Sequence, residues 1–243
     1  MATSRGYGVT VNVLNTAWKA LKKHIKRKGV DFFLNWCYNI GTIKRSYMKL
    51  RDNKVILVDA DGVLLDWEWA FNVWMGEQGF ERIEGSQFIY DIGERYGIPT
   101  TQSKKLVNIF NNSAWIGFLP GLRDAQFYVK KLHEEHGFTF HLITSLSLDK
   151  NAQKLRTMNI DKLFGTTAFT KYVYLGTGAD KDDALAKYKD SGLWWVEDKP
   201  KNCEAGLAQG LKPLLVEHGH NMNYKNDDVT IVKNWKHIHD IVI

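Results

Sequence analysis

Two aspartates one residue apart, Asp59 and Asp61, follow the apolar run Val55-Ile-Leu-Val58 and precede Gly62. Four apolar residues in a row suit a strand buried on both faces, as in a parallel sheet. A carboxylate is costly to bury unless it is paired or holds a cation. Two of them at the end of such a strand, before a glycine that lets the chain turn sharply, read as a site rather than as an acidic turn. Two further apolar runs end in polar residues. Phe138-Thr-Phe-His-Leu-Ile143 leads into the hydroxyl pair Thr144 and Ser145, and Leu193-Trp-Trp-Val196 leads into Glu197 and Asp198. Between them Lys181 opens a helical stretch, Lys181-Asp-Asp-Ala-Leu-Ala-Lys-Tyr188. Carboxylates, hydroxyls and a lysine brought to neighbouring strand ends are groups suited to nucleophilic, acid–base and cation-assisted chemistry.

In this order the four stretches resemble the motifs of the haloacid dehalogenase-like (HAD) phosphatases. Asp59-Ala-Asp-Gly-Val-Leu64 is similar to the first motif, Thr144 to the second, Lys181 to the third and Glu197-Asp198 to the fourth. Motifs two and three are weak singly, and the ordered set carries the resemblance, which covers about residues 54–243. It implies an α/β fold: a Rossmann-like three-layer parallel sheet with a small helical cap inserted after the first core strand. It also implies that Asp59 is the nucleophile that becomes a phosphoaspartate, and that Asp61 protonates the leaving oxygen and later activates water. Thr144 would hydrogen-bond a phosphoryl oxygen, and Lys181 would place a point charge on the phosphate and on Asp59. Backbone amides after Asp59 would supply further donors. Mg²⁺, a hard cation suited to oxygen ligands, would be held by Asp59, the Asp61 backbone carbonyl and Asp198.

Three departures qualify the resemblance. Glu197 stands where related nucleotidases often carry an aspartate, which puts it behind the metal ligands rather than among them. Asn202 replaces a later acid found in many relatives, leaving the metal's surroundings less negative. Lys171 and Lys187 compete with Lys181 for the third motif, and any one lysine is also read as a solvated surface charge.

The 243 residues hold one sizeable α/β domain with a core, plus an accessory element. With 44% hydrophobic and 25% charged residues, the chain has the composition of a soluble globular protein. No apolar run approaches the roughly 18–20 residues that span a bilayer, and the opening lacks the apolar stretch of a secretory signal. Cys37 and Cys203 make no disulfide framework, so a reducing, cytoplasmic setting is expected.

Charge divides the chain. Residues 1–54 carry 12 Lys/Arg against Asp31 and Asp52, a net of +10, so the whole-chain +6 leaves −4 for the other 189. Residues 1–53 therefore read as a separate basic extension. Leu14, Trp18, Leu21 and Ile25 form one helical stripe, and Phe33, Trp36, Cys37 and Ile40 a second after Gly29. Such a pair of helices packs on the core with solvated lysines, docks a partner protein or a second copy through residues 11–50, or contacts nucleic acid or an anionic surface. An acid-poor organellar transit peptide is a further reading.

The catalytic core is expected over 54–66 and 121–243, with the cap over 67–120, too long a stretch for a loop. The cap is rich in aromatics and ends in Trp115-Ile-Gly-Phe-Leu-Pro-Gly121, similar to the 5′(3′)-deoxyribonucleotidases and their phage and bacterial relatives. A cap excludes water and reads the leaving group. Trp67, Trp69, Phe71, Trp115 and Phe118 are the candidate faces for stacking a nucleobase; Trp67, Phe71 and Trp74 share a helical stripe that equally suits the cap's own core. Ser145 joins them as a substrate-contact candidate.

Toward the C-terminus, Leu211 to Glu217 reads as a strand, Val229 to Val232 as an edge strand and Lys233 to Ile241 as a closing helix. The pairs His218/His220 and His237/His239 lack acidic or cysteine partners at ligand spacing and are not read as a transition-metal site. The expected function is phosphomonoester hydrolysis, with nucleoside monophosphates as substrates. A phosphatase of nucleic-acid ends or sugar phosphates, and a non-catalytic interaction protein docking through its N-terminal helices, are the alternatives.

Overall fold

The computed structural model describes residues 54–243, a compact unit with its own core. The two amphipathic stripes and the docking surface expected over residues 11–50 lie outside the described residues. Val55–Val58 forms β1, buried on both faces as its apolar run requires. Five further strands complete the sheet: β2 (Thr139–Ser145), β3 (Phe169–Leu175), β4 (Trp194–Glu197), β5 (Lys212–Val216) and β6 (Thr230–Val232). Their order is β3-β2-β1-β4-β5-β6, and every neighbouring pair is parallel. β1 is thus central, with Leu57 level with His141 on one side and Trp195 on the other. Chain order reverses between β1 and β4, which puts the crevice where ligands bind open α/β sheets at the C-terminal ends of these two strands.

Alternation along the strands divides the core into two layers. Ile56 and Val58 pack with Phe140, Val129 and Trp235, whereas Leu57 packs with Ile143, Trp195 and Leu185. The first layer is closed by α4 (Ala125–Glu134), α5 (Lys150–Phe164) and α8 (Trp235–Val242), and the second by α6 (Asp182–Leu185) and α7 (Pro200–Ala208). The architecture is a three-layer α/β fold.

Between β1 and α4 the chain forms helices but no strand: α1 (Trp67–Glu77), α2 (Ile92–Tyr96), α3 (Thr100–Asn111) and two short 3₁₀ turns. Asp66 starts α1 by accepting from the Trp69 amide, and Asp91 starts α2 by accepting from the Glu94 amide. Trp67 stacks on Phe71 at 4.5 Å between ring centroids, and both meet the edge of Phe110. Aromatics give this insertion a core of its own. Cys203 on α7 is buried and unbridged. Among the described residues no helix is long and apolar enough to cross a membrane.

Candidate functional site

The ends of β1, β2 and β4 converge on one group of charges. Asp59 follows β1, with its amide bonded to the Val196 carbonyl of β4 at 3.0 Å and one carboxylate oxygen accepting from the Ala60 amide at 2.7 Å. Glu197 closes β4 and Lys181 immediately precedes α6. The Lys181 ammonium lies 2.8 Å from Asp59 Oδ2 and 2.7 Å from Glu197 Oε2, with all three side chains almost fully buried. Burial opposes the lysine's charge, but Asp59 and Glu197 outweigh it and hold its pKa above the ordinary value. Lys171, on β3, instead sets its ammonium 4.7 Å from the Tyr188 ring centre, and Lys187 is exposed.

Glu197 has no lone pair to spare. Oε1 accepts from the amides of Asp198 and Lys199, both at 3.1 Å, and Oε2 accepts from Lys181 and from Asn202 Nδ2 at 3.1 Å. Glu197 and Asn202 therefore brace the lysine rather than offering ligands. Asp198 is the opposite case. Its one ion-pair contact among the described residues is His220 Nε2 at 3.8 Å. Burial and the neighbouring His218 push His220 down to about 4, so it is neutral at pH 7. Burial, reinforced by Asp59, lifts Asp198 to about 7.

Asp61 turns away from this group and accepts from Arg156 Nη1 at 2.7 Å. Four carboxylates (Asp59 and Glu197 buried, Asp61 and Asp198 partly so) thus face two cations (Lys181, Arg156), a formal surplus of two negative charges at the base of the site. One oxygen from each of Asp59, Glu197 and Asp198 lies within 4.8 Å of the others. With Glu197 taken up by its own hydrogen bonds, Asp59 and Asp198 remain as the oxygen ligands, a donor type that suits a hard divalent cation. Gly62 makes the approach feasible. Its φ is +72°, and a Cβ there would lie 2.4 Å from Asp198 Oδ2.

Above these residues opens a cavity of about 1080 Å³. Thr144, buried at the end of β2, and Ser145, which donates to the Ala179 carbonyl at 2.8 Å, line it with Asp59, Asp61, Lys181 and Asp198. Of the five aromatic candidates, Trp67 and Trp69 line the cavity. Phe71 is buried in the core of the insertion, Trp115 packs partly buried against that core, and Phe118 stands 70% exposed; none of these three lines the cavity.

His218, His220 and Tyr90 line the cavity although the sequence does not place them at the site. His218 bonds the Gly62 carbonyl at 2.7 Å through Nε2, and His220 reaches the Asp198 carbonyl at 3.3 Å. The pair supports the backbone around the acids. Tyr90 packs on His220, 5.2 Å between centroids, and brings the insertion onto the loop after β5. Arg156, which does not line the cavity, shares α5 with Lys150, Lys154 and Lys162, and nothing in the sequence separates it from them.

Among solved structures, the fold of this chain is similar to that of a haloacid dehalogenase-like hydrolase of Streptococcus pneumoniae. That match has a TM-score of 0.53 at 14% identity and covers 78% of this chain and 98% of the other. The fold is the HAD fold. A predicted phosphoglycolate phosphatase of Haemophilus somnus matches with a TM-score of 0.52 at 12% identity over 78% and 98% of the two chains. The L-2-haloacid dehalogenase of Xanthobacter autotrophicus gives 0.50 at 9% over the same shares. HAD hydrolases of different chemistry thus share this architecture. No family model matches the chain. An uncharacterized 32.4 kDa protein of Enterobacteria phage T4 is 25% identical over 158 residues, 61% of this chain and 55% of that relative. The chain spans about half the length of that relative.

Proposed function

We propose that this chain is a divalent-cation-dependent phosphomonoester hydrolase working through a phosphoaspartate on Asp59. The observation that carries this reading is the formal surplus of two carboxylate charges at the base of the cavity, with the buried Asp59 held against Lys181. A dehalogenase taking an anionic acid would be repelled by that surplus, and it has no alkoxide to protonate. A phosphatase needs both a cation to balance the charges and a proton donor.

Asp59, Asp198 and the Asp61 backbone carbonyl would hold Mg²⁺. When bound, such a cation neutralises phosphoryl oxygens and screens the attacking carboxylate from its anionic target. The chain supplies the rest. Lys181, fixed by Glu197, orients Asp59 and places a positive charge beside the phosphate. Thr144 donates to a phosphoryl oxygen. Asp61 gives a proton to the departing oxygen and then takes one from the water that hydrolyses the phosphoaspartate. The helical insertion acts as the cap, excluding water and contacting the leaving group. Nucleoside monophosphates are the favoured substrates, because the half-exposed Trp69 lines the same cavity as the acids and offers a ring on which a base could stack.

The test is phosphate release from nucleoside monophosphates, sugar phosphates and 3′-phosphorylated oligonucleotides, with Mg²⁺ or EDTA, beside Asp59→Asn. Release should require Mg²⁺ and fall by about four orders of magnitude or more in the variant, as loss of a covalent nucleophile does elsewhere. Equal release by wild type and Asp59→Asn would refute the mechanism. Preference for sugar phosphates or oligonucleotide ends would replace the substrate class and keep the chemistry.

A further inference from the structure

Arg156 is fully buried on α5, the helix that follows β2. α5 is tied to the place where the insertion rejoins the core. Asn159 donates to the Leu119 carbonyl at 3.0 Å, and Leu155 sits against Gly117. From there the guanidinium reaches Asp61 from behind: Asp61 lines the cavity and Arg156 does not.

The manner of contact is informative. A buried arginine is worth its desolvation only when its donors are used, and arginine meets carboxylates by preference through two parallel N–H bonds. Here Nη1 alone engages Asp61, at Oδ1 and 2.7 Å, while Nε and Nη2 are buried with no partner among the described residues. A two-bond fork would occupy both carboxyl oxygens. The single bond fixes the carboxyl by Oδ1 and leaves Oδ2 without a guanidinium partner.

We propose that Arg156 is a positioning residue that holds the Asp61 carboxyl by Oδ1 so that Oδ2 faces the leaving oxygen of a phosphate monoester. This rests on the phosphatase reading of the site. In the step concerned, an Asp59 oxygen bonds to phosphorus and the bond from phosphorus to the leaving oxygen breaks. That oxygen keeps the bonding pair and takes the proton from Asp61 Oδ2. Arg156 touches neither substrate nor phosphorus and acts through Asp61 alone.

The test is the dependence of kcat/KM on the leaving group, because kcat/KM reports steps only through formation of the phosphoaspartate. An alkyl phosphate needs a proton on its leaving oxygen, whereas 4-nitrophenyl phosphate releases a stable anion without one. Arg156→Met should lower kcat/KM for the alkyl ester at least about tenfold more than for the nitrophenyl ester, within the range of about 10²–10⁴ that general acids contribute. Arg156→Lys keeps a cation in the same hole, should recover part of that ratio, and preserves the test if the Met variant does not fold. In an Asp61→Asn background, Arg156→Met should change the ratio no further. Equal losses on the two esters, or no loss on either, would overturn the proposal. Failure of wild type to hydrolyse any monoester while binding Mg²⁺ would instead refute the phosphatase reading, and this inference with it.

Discussion

The base of the cavity, at the C-terminal ends of β1, β2 and β4, holds its side chains by charge; the helical wall from Trp67 to Gly117 holds its own by packing. At the base, Lys181 lies between Asp59 and Glu197, and Asp198 is left with an uncharged histidine. In the wall, Trp67, Phe71, Trp74 and Phe110 interleave, and Arg82 and Arg95 share Glu68 near the rim. Charge in a buried place is exact in its demands, since one missing partner exposes the others. Packing is graded, since each ring contributes by area. The two regions should therefore respond differently to substitution.

The base should be the more fragile. Lys181→Met leaves Asp59 and Glu197 facing one another without their cation. Removing one member of a buried ion pair costs about 3–5 kcal/mol, a loss to be read from urea unfolding without Mg²⁺. Both carboxyls already have raised pKa values from burial, so acidification should reduce the deficit by protonating them. A loss under about 1 kcal/mol would mean that charge does not organise the base.

Asp198 sharpens the same point through pH. Its folded pKa, lifted to about 7 by burial and Asp59, lies above the ordinary 3.8. Between those values the folded state keeps a proton that the unfolded chain has lost. In cation-free protein the contribution of Asp198 is therefore fully present below the ordinary value and is lost as pH rises toward about 7, at up to about 1.4 kcal/mol per unit. Mg²⁺ should raise Tm more at pH 8 than at pH 5, by several degrees at roughly 2–4 °C per kcal/mol, and Asp198→Asn should abolish the difference. Equal Mg²⁺ responses at both pH values would remove Asp198 from the ligand set.

The seam between the regions is a backbone contact. A Cβ at Gly219, after β5, would lie 2.5 Å from the Gln87 carbonyl oxygen of the insertion. Gly219→Ala should force the two apart at about 1–3 kcal/mol, lowering Tm and raising KM as Tyr90 leaves His220. An unchanged KM with a lowered Tm would show that this seam is structural only.

The same contrast governs what could be read in advance. The base was legible because buried strands are written as apolar runs, and a polar residue at the end of each is conspicuous. Asp59, Asp61, Thr144 and Asp198 stood out that way. The choice of Lys181 over Lys171 and Lys187 depended on the motif resemblance, since nothing in a helix start distinguishes a buried ammonium from a solvated one. β3 and α5 gave weaker patterns. β3 is an edge strand with Thr170 and Lys171 exposed, and α5 carries Arg156 inward among otherwise ordinary charges. The wall was legible as helices but not as a surface, because aromatic spacing says which rings share a face and not whether that face meets a core or a cavity. Phe71 went to the core and Trp67 to the boundary.

The smallest expected effect separates two exposed rings. Trp69 is 53% exposed and lines the cavity, whereas Phe118 is 70% exposed and does not. Neither belongs to the aromatic core, so replacing either by alanine should change stability by no more than about 0.5 kcal/mol. Stacking a base on an aromatic face is worth about 1–3 kcal/mol. Trp69→Ala should therefore raise KM for a nucleoside monophosphate about tenfold and leave 4-nitrophenyl phosphate less affected, while Phe118→Ala changes neither. If both variants behave like wild type on nucleotides, the leaving group is not read by stacking at Trp69. The polar wall of α3, with Lys104, Asn108 and Asn111 on the cavity, would then favour a hydroxyl-rich leaving group held by hydrogen bonds.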